Sequence, residues 1–227
     1  MFKRYAIYYT PSEGALAEFG AAWLGWDMAK GAVVAHPAIA GLPAPVHEIT
    51  QAPRRYGFHG TIKPPFRLAD GHDPDALAVA LDALCRIYAP VTLAGLELSR
   101  LGGFLALVPR GDAAALGALA AQVVAALDAF RAPLLTAELD RRRQADLTQL
   151  QDAYLERWGY PYVMEAFRFH LTLTSRLEPD ALAATEAALA PHLAPLLPAP
   201  FEIRDLTLVG EAGDGMFHTL HRFALSG

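Results

Sequence analysis

A single cysteine in 227 residues, Cys85, leaves no partner for an intrachain disulfide and no thiolate set for a zinc knuckle. The expectation is a chain held together by its apolar core in a reducing compartment. Charge is sparse as well: Asp, Glu, Lys and Arg make up 19% of the residues, and the formal net charge is −5. That balance excludes the broad basic field that grips long nucleic acids, although it is compatible with a small basic pocket. Long hydrophobic runs are missing too. The most apolar stretch, Ala113 to Leu127, contains Gln122 and is fenced by Asp112 and Asp128. It falls short of the roughly 20 residues that a membrane span needs, so a buried helix is expected and no membrane partner. The apolar residues after Lys3 and Arg4 are interrupted by Tyr8, Tyr9, Thr10 and Pro11 before they amount to a secretory signal, and the cytoplasm is the expected location.

Hydrophobic residues at 53% describe a packed globular chain and exclude a disordered, collagenous or coiled-coil protein. Local patterns predict a strand over 3–9 and a helix with the stripe Leu16, Phe19, Trp23 and Trp26. A long irregular connection follows from Gly31 to Tyr56, and then a strand over 58–62 that Pro64-Pro65 should end. Asp73-Pro74 opens a helix that Pro90 closes. Residues 91–98 and 104–108 read as a hairpin, and Asp112 caps the apolar helix. The charged segment around Arg141-Arg142-Arg143 reads as part of a helical bridge over about 131–166. A strand over 169–173, a helix over 180–193 and a hairpin from 201–209 and 216–225 complete the chain.

The second half repeats the first. His59 and His170 lie 111 residues apart, and the same offset carries the first hairpin onto the second to within one residue. The expectation is α+β: one bilobal domain over 1–227, made of two pseudosymmetric units with antiparallel sheets, outer helices and a central cleft. Each unit carries His-x-Thr-aliphatic: His59-Gly60-Thr61-Ile62 and His170-Leu171-Thr172-Leu173.

Strand alternation sets each histidine and its threonine on one face. Two imidazoles and two hydroxyls meeting in one cleft suit acid-base chemistry on a phosphate ester. One neutral ring takes a proton, one protonated ring gives one, and the hydroxyls donate to non-bridging oxygens. By the same alternation Lys63 shares the face of His59, and Arg168 that of His170, so both are candidate phosphate contacts beside Thr61 and Thr172. Tyr5 and Tyr56 are weighed as stacking partners against the plainer reading of core aromatics. The remaining histidines share no ligand spacing, and no metal or cofactor is expected.

These paired motifs resemble the two-histidine (2H) phosphoesterase superfamily. The flanking residues, Arg54-Arg55-Tyr56-Gly57-Phe58 before the first motif and Phe167-Arg168-Phe169 before the second, are similar to an uncharacterised branch often encoded beside phosphonate-utilisation genes. The resemblance implies a bilobal 2H phosphoesterase-like fold and metal-independent cleavage of a small cyclic or 2′-linked phosphodiester, with a ribosyl cyclic phosphate as one substrate. His59 and His170 would be the catalytic pair. Two other readings stand beside it: an RNA-end cyclic phosphodiesterase or ligase-like enzyme, and a module that binds a phosphate ligand without turning it over.

Overall fold

The computed structural model describes residues 2–227. The chain runs through β1 (Tyr5–Tyr9), α1 (Ala15–Leu24), β2 (Trp26–Asp27), β3 (Ala32–Val33), α2 (Val46–Ile49), α3 (Gln51–Arg54), β4 (Gly60–Phe66), α4 (Pro74–Cys85), β5 (Val91–Leu93), β6 (Leu96–Leu101) and β7 (Phe104–Pro109). It continues with α5 (Ala114–Ala126), α6 (Thr136–Arg143), α7 (Gln149–Trp158), β8 (Leu171–Thr172), α8 (Pro179–Leu193), β9 (Phe201–Ile203), β10 (Asp205–Glu211) and β11 (Phe217–Ala224). The class is α+β with antiparallel sheets and outer helices, as the patterning predicts.

Local chemistry sets the helix ends. Asp73 accepts a hydrogen bond from the Ala76 amide at 2.8 Å and Pro74 fills the first turn of α4, whose Leu77, Leu81 and Cys85 are fully buried. The Thr148 hydroxyl accepts from the Gln151 amide while the Gln151 side chain accepts from the Thr148 amide, which starts α7. Gly25, at φ 72, stops α1. Trp26, which the helical stripe included, therefore begins β2 and donates its indole hydrogen to the Phe217 carbonyl at 2.8 Å.

The main sheet has seven strands in the order β11-β10-β1-β4-β8-β7-β6. The two motif strands, β4 and β8, are neighbours near its centre, paired antiparallel through Gly60 and Leu171. Those two residues are related by the same 111-residue offset as the histidines. The hairpin arms differ from expectation in one respect. The segment 91–98 breaks at Gly95, φ 155, and the segment 201–209 breaks at Arg204, so β5 and β9 leave their hairpins and pair with each other, Thr92 opposite Glu202. Corresponding segments of the two halves thus meet twice.

β4 also runs on through Pro64 and Pro65 rather than ending before them. From the Ile7–Lys63 pair to the Tyr5–Phe66 pair, β1 advances two residues and β4 three, so the prolines sit in a bulge where no ladder amide is required.

A buried cluster including Trp23, Ile62, Leu81, Leu107, Val123 and Leu189 draws on both halves. Among the described residues no helix is long and apolar enough to cross a membrane.

At the centre of the sheet Gly60 is closely approached by the ring of Phe169. A Cβ there would lie 2.4 Å from the Phe169 ring. Gly60→Val is expected to cost about 1–3 kcal/mol through overpacking, read as a fall in the urea midpoint at unchanged m-value.

Candidate active site

His59 stands just before β4 and His170 just before β8, and the backbone holds both rings in the same way. His59 Nδ1 is 2.9 Å from the Gly57 carbonyl, and His170 Nδ1 is 2.8 Å from the Arg168 carbonyl, in each case two residues back. A carbonyl only accepts, so Nδ1 carries the hydrogen and the neutral ring keeps its lone pair on Nε2. The turn that delivers the first carbonyl has Gly57 at φ 70, where a Cβ would also lie 2.7 Å from Met28 Sδ.

His59 Nε2 is 3.1 Å from Thr61 Oγ1, so the hydroxyl donates to it. On its other side the ring stacks on Tyr8, with centroids 3.8 Å apart at 22°. Burial pushes the His59 imidazole down to about 4, and repulsion from His170 adds to this, while the bond to the Gly57 carbonyl opposes it. His59 is therefore neutral through the physiological range. Burial likewise raises the Tyr8 phenol well above its ordinary value.

A cavity of about 620 Å³ is lined by His59, Thr61, His170, Thr172, Tyr56 and Arg168. The Gly60–Leu171 pair explains the convergence. Continued by one residue in each direction, an antiparallel register sets Thr61 across from His170 and His59 across from Thr172. Arg168 is exposed at the rim, its guanidinium donating to the Glu165 and Phe167 carbonyls at 2.9 and 2.6 Å.

Lys63 does not line this cavity. Between the Tyr8–Thr61 and Ile7–Lys63 pairs β1 advances one residue and β4 two, and this bulge turns Lys63 to the opposite face from Thr61. Lys63 as a whole is 1% exposed, and its side chain donates to the Val124 carbonyl at 3.0 Å and lies 3.5 Å from Asp128. Burial lowers its ammonium to about 8, against the pull of Asp128. The strict alternation behind the phosphate-contact expectation fails at this residue. Tyr5, 3% exposed, belongs to the core.

Other lining residues were not singled out from the sequence for this role: Arg4, Tyr8, Arg142 and Tyr160. Arg4 and Tyr8 share the even-numbered face of β1, so alternation along that strand is the signal for them. Arg142 appears in the sequence only as part of a charged run. Among the described residues no group of three or more His, Cys, Asp or Glu is placed to hold a metal ion.

A family model described as a protein of unknown function (DUF1045) matches residues 61–218. The ribose 1,5-bisphosphate phosphokinase PhnN of Janthinobacterium sp. (strain Marseille) is 38% identical over 218 residues, which cover 93% of this chain and 48% of that protein. The protein of the same name from Laribacter hongkongensis (strain HLHK9) is 36% identical over 211 residues, 92% of this chain and 49% of its own length. The chain thus spans about half the length of these curated relatives. Among solved structures, E. coli LigT complexed with 3′-AMP aligns over 100% of both chains with 16% identity and a TM-score of 0.42. LigT complexed with NADP+ aligns over 100% of both chains with 15% identity and a TM-score of 0.44. The family match takes in Thr61, the whole second motif and well over half of the residues, and the chain accordingly belongs to the DUF1045 family.

Proposed function

We propose that this protein is a two-histidine phosphodiesterase that hydrolyses a small cyclic or 2′-linked phosphodiester without a metal ion. The observation that carries the reading is the matched pair of imidazoles, each locked by a backbone carbonyl at Nδ1 and each lining one cavity together with the threonine of its motif.

The asymmetry between the rings supports a division of roles. His59, half-buried and neutral, is the base: its Nε2 takes a proton from water as the water oxygen bonds to phosphorus. His170, whose bond to the Arg168 carbonyl is exposed, is the acid. As an imidazolium it keeps Nδ1–H on the Arg168 carbonyl and gives its Nε2 proton to the departing oxygen as the old P–O bond breaks. Thr61 turns its hydroxyl from His59 Nε2 to a non-bridging oxygen when substrate enters, which frees the lone pair for the water. Thr172 serves another non-bridging oxygen. Proton exchange with solvent then restores both rings.

The name of the relatives, a ribose 1,5-bisphosphate phosphokinase, favours a ribosyl phosphate scaffold, and the residues flanking the two motifs, similar to a branch encoded beside phosphonate-utilisation genes, favour a setting in phosphonate metabolism. The net charge of −5 argues against a long RNA, so an RNA-end substrate is the second reading. The test is a panel of ribose cyclic phosphates, cyclic nucleotides and RNA ends, assayed with and without chelator. Turnover of the small members that survives chelation supports the proposal. Strict dependence on a divalent ion sinks the mechanism, and turnover confined to RNA ends moves the substrate class.

A pH profile checks the assignment of the base. A base acts deprotonated, so kcat/KM should rise with pH along an acidic limb near 4, the His59 value, rather than near the ordinary 6.5. The same depression makes the unfolded chain bind this proton first on acidification. The stability linked to His59 is therefore complete above 6.5 and is lost as pH falls toward 4. An acidic limb at 6.5 would contradict His59 as the base.

A further inference from the structure

The basic run on α6 divides its labour. Arg143 is neutralised by Asp152 and Glu156, with contacts of 2.7 and 2.6 Å to α7. Arg142 faces the other way, into the catalytic cavity, its guanidinium 5.0 Å from the centre of the Tyr160 ring. Its Nε is buried with no hydrogen-bond partner among the described residues. Glu138, one turn earlier on the same helix, is engaged by Arg67 at 3.0 Å instead. A guanidinium N–H withdrawn from water without an acceptor is costly, and an anion reaching it from the cavity would supply that acceptor. Burial pushes the Arg142 guanidinium below its ordinary value, with Arg141 and Arg4 adding to this and Tyr160 and Glu138 opposing it.

Arg4 supplies a second guanidinium. Its Nε is held by Glu211, and it lines the same cavity. Arg4 and Arg142 also border a smaller neighbouring hollow together with Pro64 and Pro65, which locates them at the proline end of β4. His59 and Thr61 lie at its Gly60 end. The cavity therefore has two poles, separated along the strand by roughly five residues at about 3.3 Å each, over which the long arginine side chains reach back. One pole can break a phosphodiester. The other has no use in that chemistry.

Resting on the phosphodiesterase reading above, we propose that the substrate carries a second phosphate, a monoester remote from the bond that is broken, and that Arg142 with Arg4 receives it. Guanidinium forks match phosphate oxygens, and a cavity of about 620 Å³ leaves room for a pentose between the two phosphorus centres. The substrate class is thus a sugar phosphate that bears a cyclic phosphodiester, not a free cyclic nucleotide.

Two measurements on the full chain test this. In calorimetry, ribose 5-phosphate should bind where ribose does not. Arg142→Gln should weaken that binding by about 10- to 100-fold, the range of a charged hydrogen-bonded contact, and Arg142→Lys should restore part of it. In kinetics, a ribose cyclic phosphate with a 5-phosphate should exceed its unphosphorylated counterpart in kcat/KM by a similar factor, and the ratio should collapse toward one in Arg142→Gln. Failure of ribose 5-phosphate to bind, binding indifferent to Arg142→Gln, or equal kcat/KM for the paired substrates in the wild-type protein overturns the second-phosphate site. Binding that depends on Arg142 with neither cyclic substrate turned over leaves the site standing and removes the phosphodiesterase reading. The comparison of ribose 5-phosphate with ribose uses the wild-type chain and holds even if a variant folds poorly.

Discussion

Alanine at His59 or at His170 is expected to lower kcat by about 10²- to 10⁴-fold, because in the proposed mechanism each ring carries one proton transfer. That is roughly 3 to 5 kcal/mol of barrier apiece. The two losses should not multiply. Once one proton has no carrier the chemistry changes course, and the double variant should lie close to the worse single one. The pair also separates the roles. His170→Ala removes the proton donor, so an ester with an acidic leaving group should recover much of its rate in that variant and little in His59→Ala. Steady-state rates on two leaving groups across the three variants decide it. Unchanged hydrolysis in either single variant would end the mechanism.

The second large effect concerns stability. Lys63→Ala is expected to cost about 3 kcal/mol, because it empties a buried site and strips Asp128 and the Val124 carbonyl of a cation. Val124 belongs to the last turn of α5, where the carbonyls run out of helical amides, so the ammonium acts as a cap where the helix dipole favours positive charge. Lys63→Met should cost much less. It refills the volume, and Asp128 keeps its two bonds from Arg131, at 2.8 and 3.1 Å. Denaturant titration of both variants, with kcat measured on the folded fraction, distinguishes this scaffold role from phosphate binding. A rise in KM at unchanged stability would return Lys63 to the substrate.

What was legible in the sequence was local. The His-x-Thr pattern, the Asp73-Pro74 helix start and the 111-residue repeat each depend on neighbours in the chain or on simple self-similarity. What was not legible was set by partners. The bulge that turns Lys63 over exists because β1 takes one step where β4 takes two, and nothing within Thr61-Ile62-Lys63 announces it. The same holds for β5 and β9, which read as hairpin arms but find each other across more than a hundred residues. Arg142 looks like its neighbours in the run. Only the packing of α6 decides that one arginine faces α7 and another the cavity.

The strand order has a consequence for how the chain can be divided. The β6-β7 hairpin of the first half lies against β8 of the second, while the β10-β11 hairpin of the second half lies against β1, which in turn holds β4 of the first. Each repeat has lent its ribbon to the other. A cut in the helical connection would leave two fragments with raw edges that fit one another better than they fit water, and neither would own a finished floor for the cavity.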